Sequence, residues 1–216
     1  MILHIQNVID AGTLSVIRDK LQQEVFANGL ETAGWAAEKV KQNQQLRAPH
    51  PIIELLQQRL MAHPLVKAAA QPAQWVNVMV NRYDTGQHYG THMDDALMGG
   101  IRTDLSFTLG LSAADSYQGG ALVIEDSSGE RSWRLEQGDV LLYPTQFLHR
   151  VEAVTEGTRF ALVGWIESML REPQQREMCF DLHQAMQAEF QQHGKTGQYD
   201  LLSKTYQNLL RRWAKR

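Results

Sequence analysis

Between Trp75 and Trp165 the chain is cut into short apolar runs by turn residues, and this feature constrains the fold most. Trp75-Val76-Asn77-Val78-Met79-Val80-Asn81-Arg82-Tyr83 alternates Asn with apolar residues and holds few helix formers. Strand-like runs follow at 105–111, 121–125, 131–135, 139–143, 149–154 and 158–165. Gly119-Gly120, Ser127-Ser128-Gly129, Gln137-Gly138-Asp139, Pro144 and Glu156-Gly157 separate them. Many short strands bounded by turns at this spacing predict a sandwich or barrel.

Helical patterns flank that region. Leu14, Ile17, Leu21, Val25 and Phe26 predict a helix over 11–29, with Asp10 as its cap. Ile52, Leu55, Leu56, Leu60 and Met61 predict a second over 51–62, with Pro51 in its first turn. The polar stretch Glu38 to Arg47 between them reads as a surface loop or an irregular strand. After Glu167, Leu182, Met186 and Phe190, then Leu201, Leu202, Tyr206, Leu209 and Leu210, predict two closing helices broken at 193–197. The expected division is a helical segment over 1–73 packed on the core, a β core over 74–168, and a helical extension over 169–216.

With 43% hydrophobic and 21% charged residues, the 216-residue chain has the make-up of an ordinary globular domain. The net charge of −3 gives no reason to expect a nucleic-acid partner. Residues 170–216 nevertheless hold eight Lys/Arg against five Asp/Glu, and the end Arg211 to Arg216 reads as a solvated helix terminus. Cys179 is the only cysteine and reads as a packed small side chain. The start lacks a signal-peptide pattern, and no apolar run approaches the roughly 18 residues that span a bilayer. A cytoplasmic protein without a membrane partner is expected.

Four residues carry chemistry. His92 and Asp94 are two apart, so on a strand both point to one side. His149 lies 55 residues after Asp94, and Arg159 ten residues after His149 on the next expected strand. Two imidazoles and a carboxylate form a facial triad that leaves several positions of a metal open, as iron(II) oxygenases require. A zinc hydrolase more often shows three His, or two His with a Glu. The arginine fork suits the far carboxylate of a dicarboxylate. Arg159, Ala161 and Val163 share a face by alternation, and an arginine on an apolar face needs an anionic partner.

The segment Asn81-Arg82-Tyr83-Asp84-Thr85-Gly86-Gln87-His88-Tyr89-Gly90-Thr91-His92-Met93-Asp94 resembles the metal-binding stretch of prolyl and lysyl hydroxylases. Tyr117 to Leu122, Gly138 to Pro144, His149 to Val154 and Thr158 to Trp165 resemble the landmarks that follow it. The chain is thus similar to bacterial PKHD-type hydroxylases, a branch of the iron(II)/2-oxoglutarate-dependent dioxygenases. The resemblance implies a mainly β core of the double-stranded β-helix, or jelly-roll, kind with helices packed around it. It implies Fe(2+) held by His92, Asp94 and His149, and 2-oxoglutarate held by Arg159 with Tyr83. Trp165 matches an aromatic closing the pocket, and Tyr89 is read as pocket lining. L-ascorbate is implied as reductant, and a link to iron metabolism as context. The co-reactants would be 2-oxoglutarate, dioxygen and an organic substrate of unidentified kind, a peptidyl residue or a small molecule.

Two other readings stay open at this point. A cupin-like metal enzyme needs no anchored dicarboxylate, so Arg159 argues against it. A non-catalytic iron or 2-oxoglutarate sensor would not need the complete ligand set. His88 is four residues from His92, but Gly86 and Gly90 argue against a helix, so it reads as wall or surface. His183 and His193 read as solvated. The apolar tail helices offer a face for pairing with a second copy.

Overall fold

The computed structural model describes residues 1–32, 34 and 37–215. Of the basic end, Arg216 lies outside the described residues.

The N-terminal third supplies both helices and edge strands. Its elements are β1 (Leu3–Ile5), α1 (Ala11–Leu21), β2 (Ala27–Asn28), β3 (Lys41–Gln42), β4 (Gln44–Arg47), α2 (Pro51–Ala62) and α3 (Pro64–Ala70). Asp10 caps α1 by accepting from the Thr13 N–H at 2.8 Å. The helix expected over 11–29 ends at Leu21, because the chain turns to pair Ala27 and Asn28 with Gln45 and Gln44. Tertiary pairing overrides the helical spacing here, leaving Val25 88% exposed while Phe26 packs against the Phe160 ring.

The middle of the chain is β5 (Pro72–Asp84), β6 (His88–His92), β7 (Leu97–Met98), β8 (Ile101–Arg102), β9 (Leu105–Gly110), β10 (Tyr117–Gly119), β11 (Leu122–Asp126), β12 (Gly129–Trp133), β13 (Val140–Pro144), β14 (Leu148–Val151) and β15 (Val154–Ser168). One sheet runs β1-β13-β9-β15-β5-β4-β2, with β10 also paired to β15. The other runs β12-β11-β14-β6-β3. The ladders are antiparallel throughout, in the two-sheet arrangement expected of a jelly-roll core. Val154 opens β15 rather than closing the preceding strand, because it pairs with Gly119.

Alternation sorts the larger sheet into two faces. Val78, Val80, Phe107, Leu109, Val140, Leu142, Phe160 and Leu162 face α1 to α3 in one apolar core. On the opposite face, Tyr83, Leu141 and Tyr143 meet Leu122, Ile124 and Val151 of the smaller sheet. That inner face also carries Asn81, Ser106, Thr108 and Arg159, all buried. Polar groups on an inner face mark where the sandwich opens into a site.

The tail forms a hairpin of α4 (Pro173–His193) and α5 (Gly197–Trp213), turned at Gly194 with φ +71°. Leu170, Cys179, Met186 and Tyr206 form its buried centre. Arg176, 3% exposed, donates to the Leu170 and Arg171 carbonyls, and the Lys215 N–H returns to the Met169 carbonyl. Phe190 and Leu201 of the expected stripe stay about half exposed. His183 is not solvated as expected: its ring lies 5.5 Å from that of Tyr206, and its Nδ1 is enclosed. No described helix is long and apolar enough to cross a membrane.

Candidate metal and cosubstrate site

His92 ends β6 and His149 lies in β14, directly opposite each other in the ladder between these strands. Their ring centroids are 4.3 Å apart. Asp94 is not on a strand, contrary to the alternation argument, because β6 stops at His92 and the chain turns away. The carboxylate reaches the same point by another route. Ser106 of β9 donates to Asp94 Oδ2 at 2.8 Å, and Thr103 holds the loop through the Asp95 and Ala96 carbonyls. The two histidines therefore belong to one sheet, while the aspartate is tethered to the other.

Asp94 Oδ1 is 3.8 Å from His92 Nε2, and Asp94 Oδ2 is 3.6 Å from His149 Nε2. These separations are too long for hydrogen bonds, so the three side chains do not satisfy one another. One ligand atom from each lies within 4.8 Å of the others, a spacing a single ion can span. His92 Nδ1 faces the Gly90 carbonyl at 2.8 Å and His149 Nδ1 faces the Phe147 carbonyl at 3.1 Å. Carbonyl oxygens only accept, so each Nδ1 carries a proton, and Nε2 is the ring nitrogen that faces the centre and is left to bind a metal. Burial, then the neighbouring His149, pushes the His92 imidazole down to about 4, so it is neutral at ordinary pH. Neutral imidazoles and a carboxylate are the donor set of a non-haem iron(II) site.

Tyr89 stacks on the His92 ring at 3.6 Å and 11°, and Tyr143 meets the His149 ring edge-on at 5.3 Å. Burial pushes both phenols up, so both stay protonated. Arg159 is 5% exposed and faces Tyr83 across the β15–β5 ladder. Its guanidinium carbon lies 5.4 Å from the Tyr83 ring centroid. Among the described residues it forms no ion pair and no hydrogen bond, so a buried fork of donors is left for a ligand. Gly120, at φ +62°, makes room for it: a Cβ there would stand 3.0 Å from Arg159 Cδ.

The triad, Arg159, Tyr83, Tyr89 and Trp165 all line one cavity of about 1050 Å³. Trp165 Nε1 is buried there without a partner among the described residues. His88 begins β6 opposite Gln42 and is not among the cavity residues. Sequence reasoning missed Ser106, Tyr143 and Lys41, all cavity residues. Ser106 and Thr108 alternating with Leu105, Phe107 and Leu109 was a usable signal of a polar inner face.

Residues 78–167 match the 2OG-Fe(II) oxygenase superfamily, and residues 174–215 match the PKHD-type hydroxylase C-terminal domain. A PKHD-type hydroxylase of Idiomarina loihiensis is 50% identical over 216 residues, covering 99% of each chain. One of Synechococcus elongatus is 47% identical over 222 residues, covering 99% of this chain and 100% of the relative. In fold, the chain is similar to a Pseudomonas putida prolyl-4-hydroxylase, with a TM-score of 0.60 and 17% identity over 77% of this chain and 92% of that one.

Proposed function

The chain belongs to the PKHD-type hydroxylases of the 2OG-Fe(II) oxygenase superfamily, and from that premise we propose the roles of its residues and the course of its reaction. It is a 2-oxoglutarate-dependent dioxygenase. In our reading, His92, Asp94 and His149 hold the ferrous ion, and Arg159 binds the far carboxylate of 2-oxoglutarate. The reaction hydroxylates a C–H bond of an organic substrate and releases succinate and carbon dioxide. The observation that carries this reading is one cavity holding both a three-ligand cluster and a buried arginine unpaired among the described residues.

Iron(II) supplies the activation of dioxygen that drives both the decarboxylation and the hydroxylation. The chain's own residues do the rest. The carbonyls of Gly90 and Phe147 fix both imidazoles as Nε2 donors, and Ser106 fixes the carboxylate. Arg159 holds the cosubstrate at its distal end, so the keto acid end is directed to the triad by length rather than by chance. Tyr83, fully buried beneath the guanidinium, excludes water from that end and braces the fork. Tyr89 and Tyr143 remain neutral walls against the two imidazoles. Ascorbate is the reductant we assign for keeping the iron ferrous. We place the catalytic core within residues 74–168, with the flanking helices as its support.

The test is a titration of 2-oxoglutarate into the anaerobic, iron(II)-loaded protein, followed by its visible charge-transfer absorption. The band should form in the wild type, weaken in affinity in Arg159→Ala, and be absent in His149→Ala. An undiminished band in His149→Ala would remove this histidine from the centre. Succinate release on admitting oxygen then reports the turnover itself.

A further inference from the structure

Among the described residues, two cavity cations are left without a task by the metal and cosubstrate reading: Arg47, which is half-exposed and paired with Glu31, and Lys41, which has no ion-pair partner. It lies in β3, where the sequence suggested surface, yet it is 6% exposed and lines the same cavity. β3 is the neighbour of β6 in the smaller sheet, and Lys41 stands opposite Tyr89. Its ammonium is 5.4 Å from the Tyr89 ring centroid, and that ring in turn covers His92. Arg159 reaches the cavity from the other sheet. The two cations thus approach the triad from different walls.

The ammonium is poorly satisfied. It donates to Thr32 Oγ1 at 3.0 Å, and among the described residues it forms no ion pair. Thr32 is itself committed to Gln45 and the Gly29 carbonyl, and Gln45 to Asn81. Three donors therefore have one fixed acceptor. Burial pushes the group down to about 8, so it is still mostly charged at neutral pH. The Asp94 carboxylate pulls the other way but makes no ion pair with it, and a buried charge without a contacting counter-ion is costly, so folds keep one where an anion completes it. Met93, Leu97 and Met98 add apolar lining to the same cavity, in a stretch that also brings in Asp94 and Asp95. Beyond the Arg159 end, the cavity thus offers the Lys41 ammonium together with apolar lining.

We propose that Lys41 anchors a carboxylate of the substrate to be hydroxylated, whose aliphatic part lies between the Tyr89 ring and the lining of Met93, Leu97 and Met98. The substrate class is a carboxylate with a hydrocarbon segment, supplied either as a free acid or as an acidic side chain of a peptide. This inference rests on the assignment of the triad and Arg159 to iron and 2-oxoglutarate.

The experiment uses the full chain, loaded anaerobically with iron(II) and saturating 2-oxoglutarate. Butanoate, acetyl-glutamyl-amide and the neutral control butanamide are titrated separately, and the change in the charge-transfer band is read. The wild type should respond to at least one carboxylate and not to butanamide; which carboxylate binds distinguishes the free acid from the peptide source. Lys41→Met and Lys41→Gln should each weaken that response at least tenfold, while Lys41→Arg retains most of it. The affinity for 2-oxoglutarate, measured on the same four proteins, should not differ among them. Equal binding of the carboxylate by wild type and by either neutral variant overturns the proposal. So does no response of the wild type to either carboxylate, or a tenfold weaker hold on 2-oxoglutarate in the variants, which would place Lys41 on the cosubstrate. Failure of the underlying reading looks different: the wild type would then form no charge-transfer band at all. Two neutral variants of different polarity, with melting temperatures compared, separate loss of binding from loss of fold.

Discussion

The carbonyl of Gly90 accepts the hydrogen bond of His92 Nδ1 at 2.8 Å, while the Gly90 N–H donates to the Val40 carbonyl at 2.9 Å. One residue thus orients an imidazole and tethers the segment that leads into β3. A Cβ at Gly90 would stand 2.9 Å from the Val40 Cβ. Gly90→Ala should therefore push β3 away, lower stability by about 1–3 kcal/mol, and weaken iron binding through the displaced His92. Denaturant unfolding and iron titration check the two effects, and unchanged iron affinity would disconnect Gly90 from the centre.

His92→Ala, Asp94→Ala and His149→Ala should each abolish turnover, since a lost ligand destroys affinity or open geometry. Ser106→Ala should be milder. It leaves the ligands in place but frees Asp94 Oδ2, and such supporting contacts are worth about 10–100-fold in metal affinity. Competition with a chelator gives the number, and a Ser106→Ala protein with wild-type affinity would refute the support role.

Arg159→Ala should leave iron bound and raise the Michaelis constant for the cosubstrate. A charge-assisted contact is worth about 1.5–3 kcal/mol, or roughly ten- to more than a hundredfold. Arg159→Lys should recover only part of this, because the planar fork is lost. Steady-state titration of the cosubstrate is the check, and an unchanged Michaelis constant in Arg159→Ala would place the arginine elsewhere.

The metal-free protein should lose stability as pH falls from about 6.5 to about 4. His92 is held low in the folded chain, so over this window the unfolded chain binds the proton and the folded one does not. The contribution is complete above the unfolded pKa and fades as pH drops toward the folded one. His92→Gln should flatten this part of the curve. Urea midpoints across the window measure it, and an identical slope in the variant would show that another group is responsible.

A chain ending at Glu167 should be destabilised and poorly soluble. Ser168, fully buried, bonds Asp104, and α4 and α5 bury Leu170, Cys179 and Tyr206. None of these residues lines the cavity. Loss of solubility and melting temperature is the expected outcome. A soluble 1–167 fragment with the melting temperature of the full chain would separate the tail from the fold.

Where the sequence was legible, local physics and tertiary structure agreed. The period-2 runs became strands mostly because one face meets the α1–α3 core or the other sheet, while the run expected over 131–135 lies instead over Gly129–Trp133 as a largely exposed edge strand. The helix over 51–62 was legible for the same reason, with Ile52, Leu56 and Leu60 buried on one side. The failures share a cause. Val25 fits a helical stripe, but the stripe carries no record of the β2–β4 pairing that ends it. Lys41 lies in a polar stretch, and only the assembled sheet shows that this stretch is an inner wall. His92 and Asp94 were legible as a pair through their spacing, but not the route by which they converge. That route runs through Ser106, twelve residues on, on a strand of the other sheet.

The division of the triad between two sheets has a mechanical consequence. The smaller sheet offers two nitrogens and the larger sheet, through Ser106, steadies the one carboxylate. Under the proposed assignment an ion there acts as a rivet through both plates of the sandwich, at the end where they part to admit ligands. Binding that occurs only when the plates are in place must also hold them in place: at a free concentration about 100 times its dissociation constant, the ion adds about 2.7 kcal/mol to folding stability. Iron scarcity would then do more than idle the enzyme. It would loosen the jaw of the molecule, and the level of the protein in the cell would follow the supply of its metal.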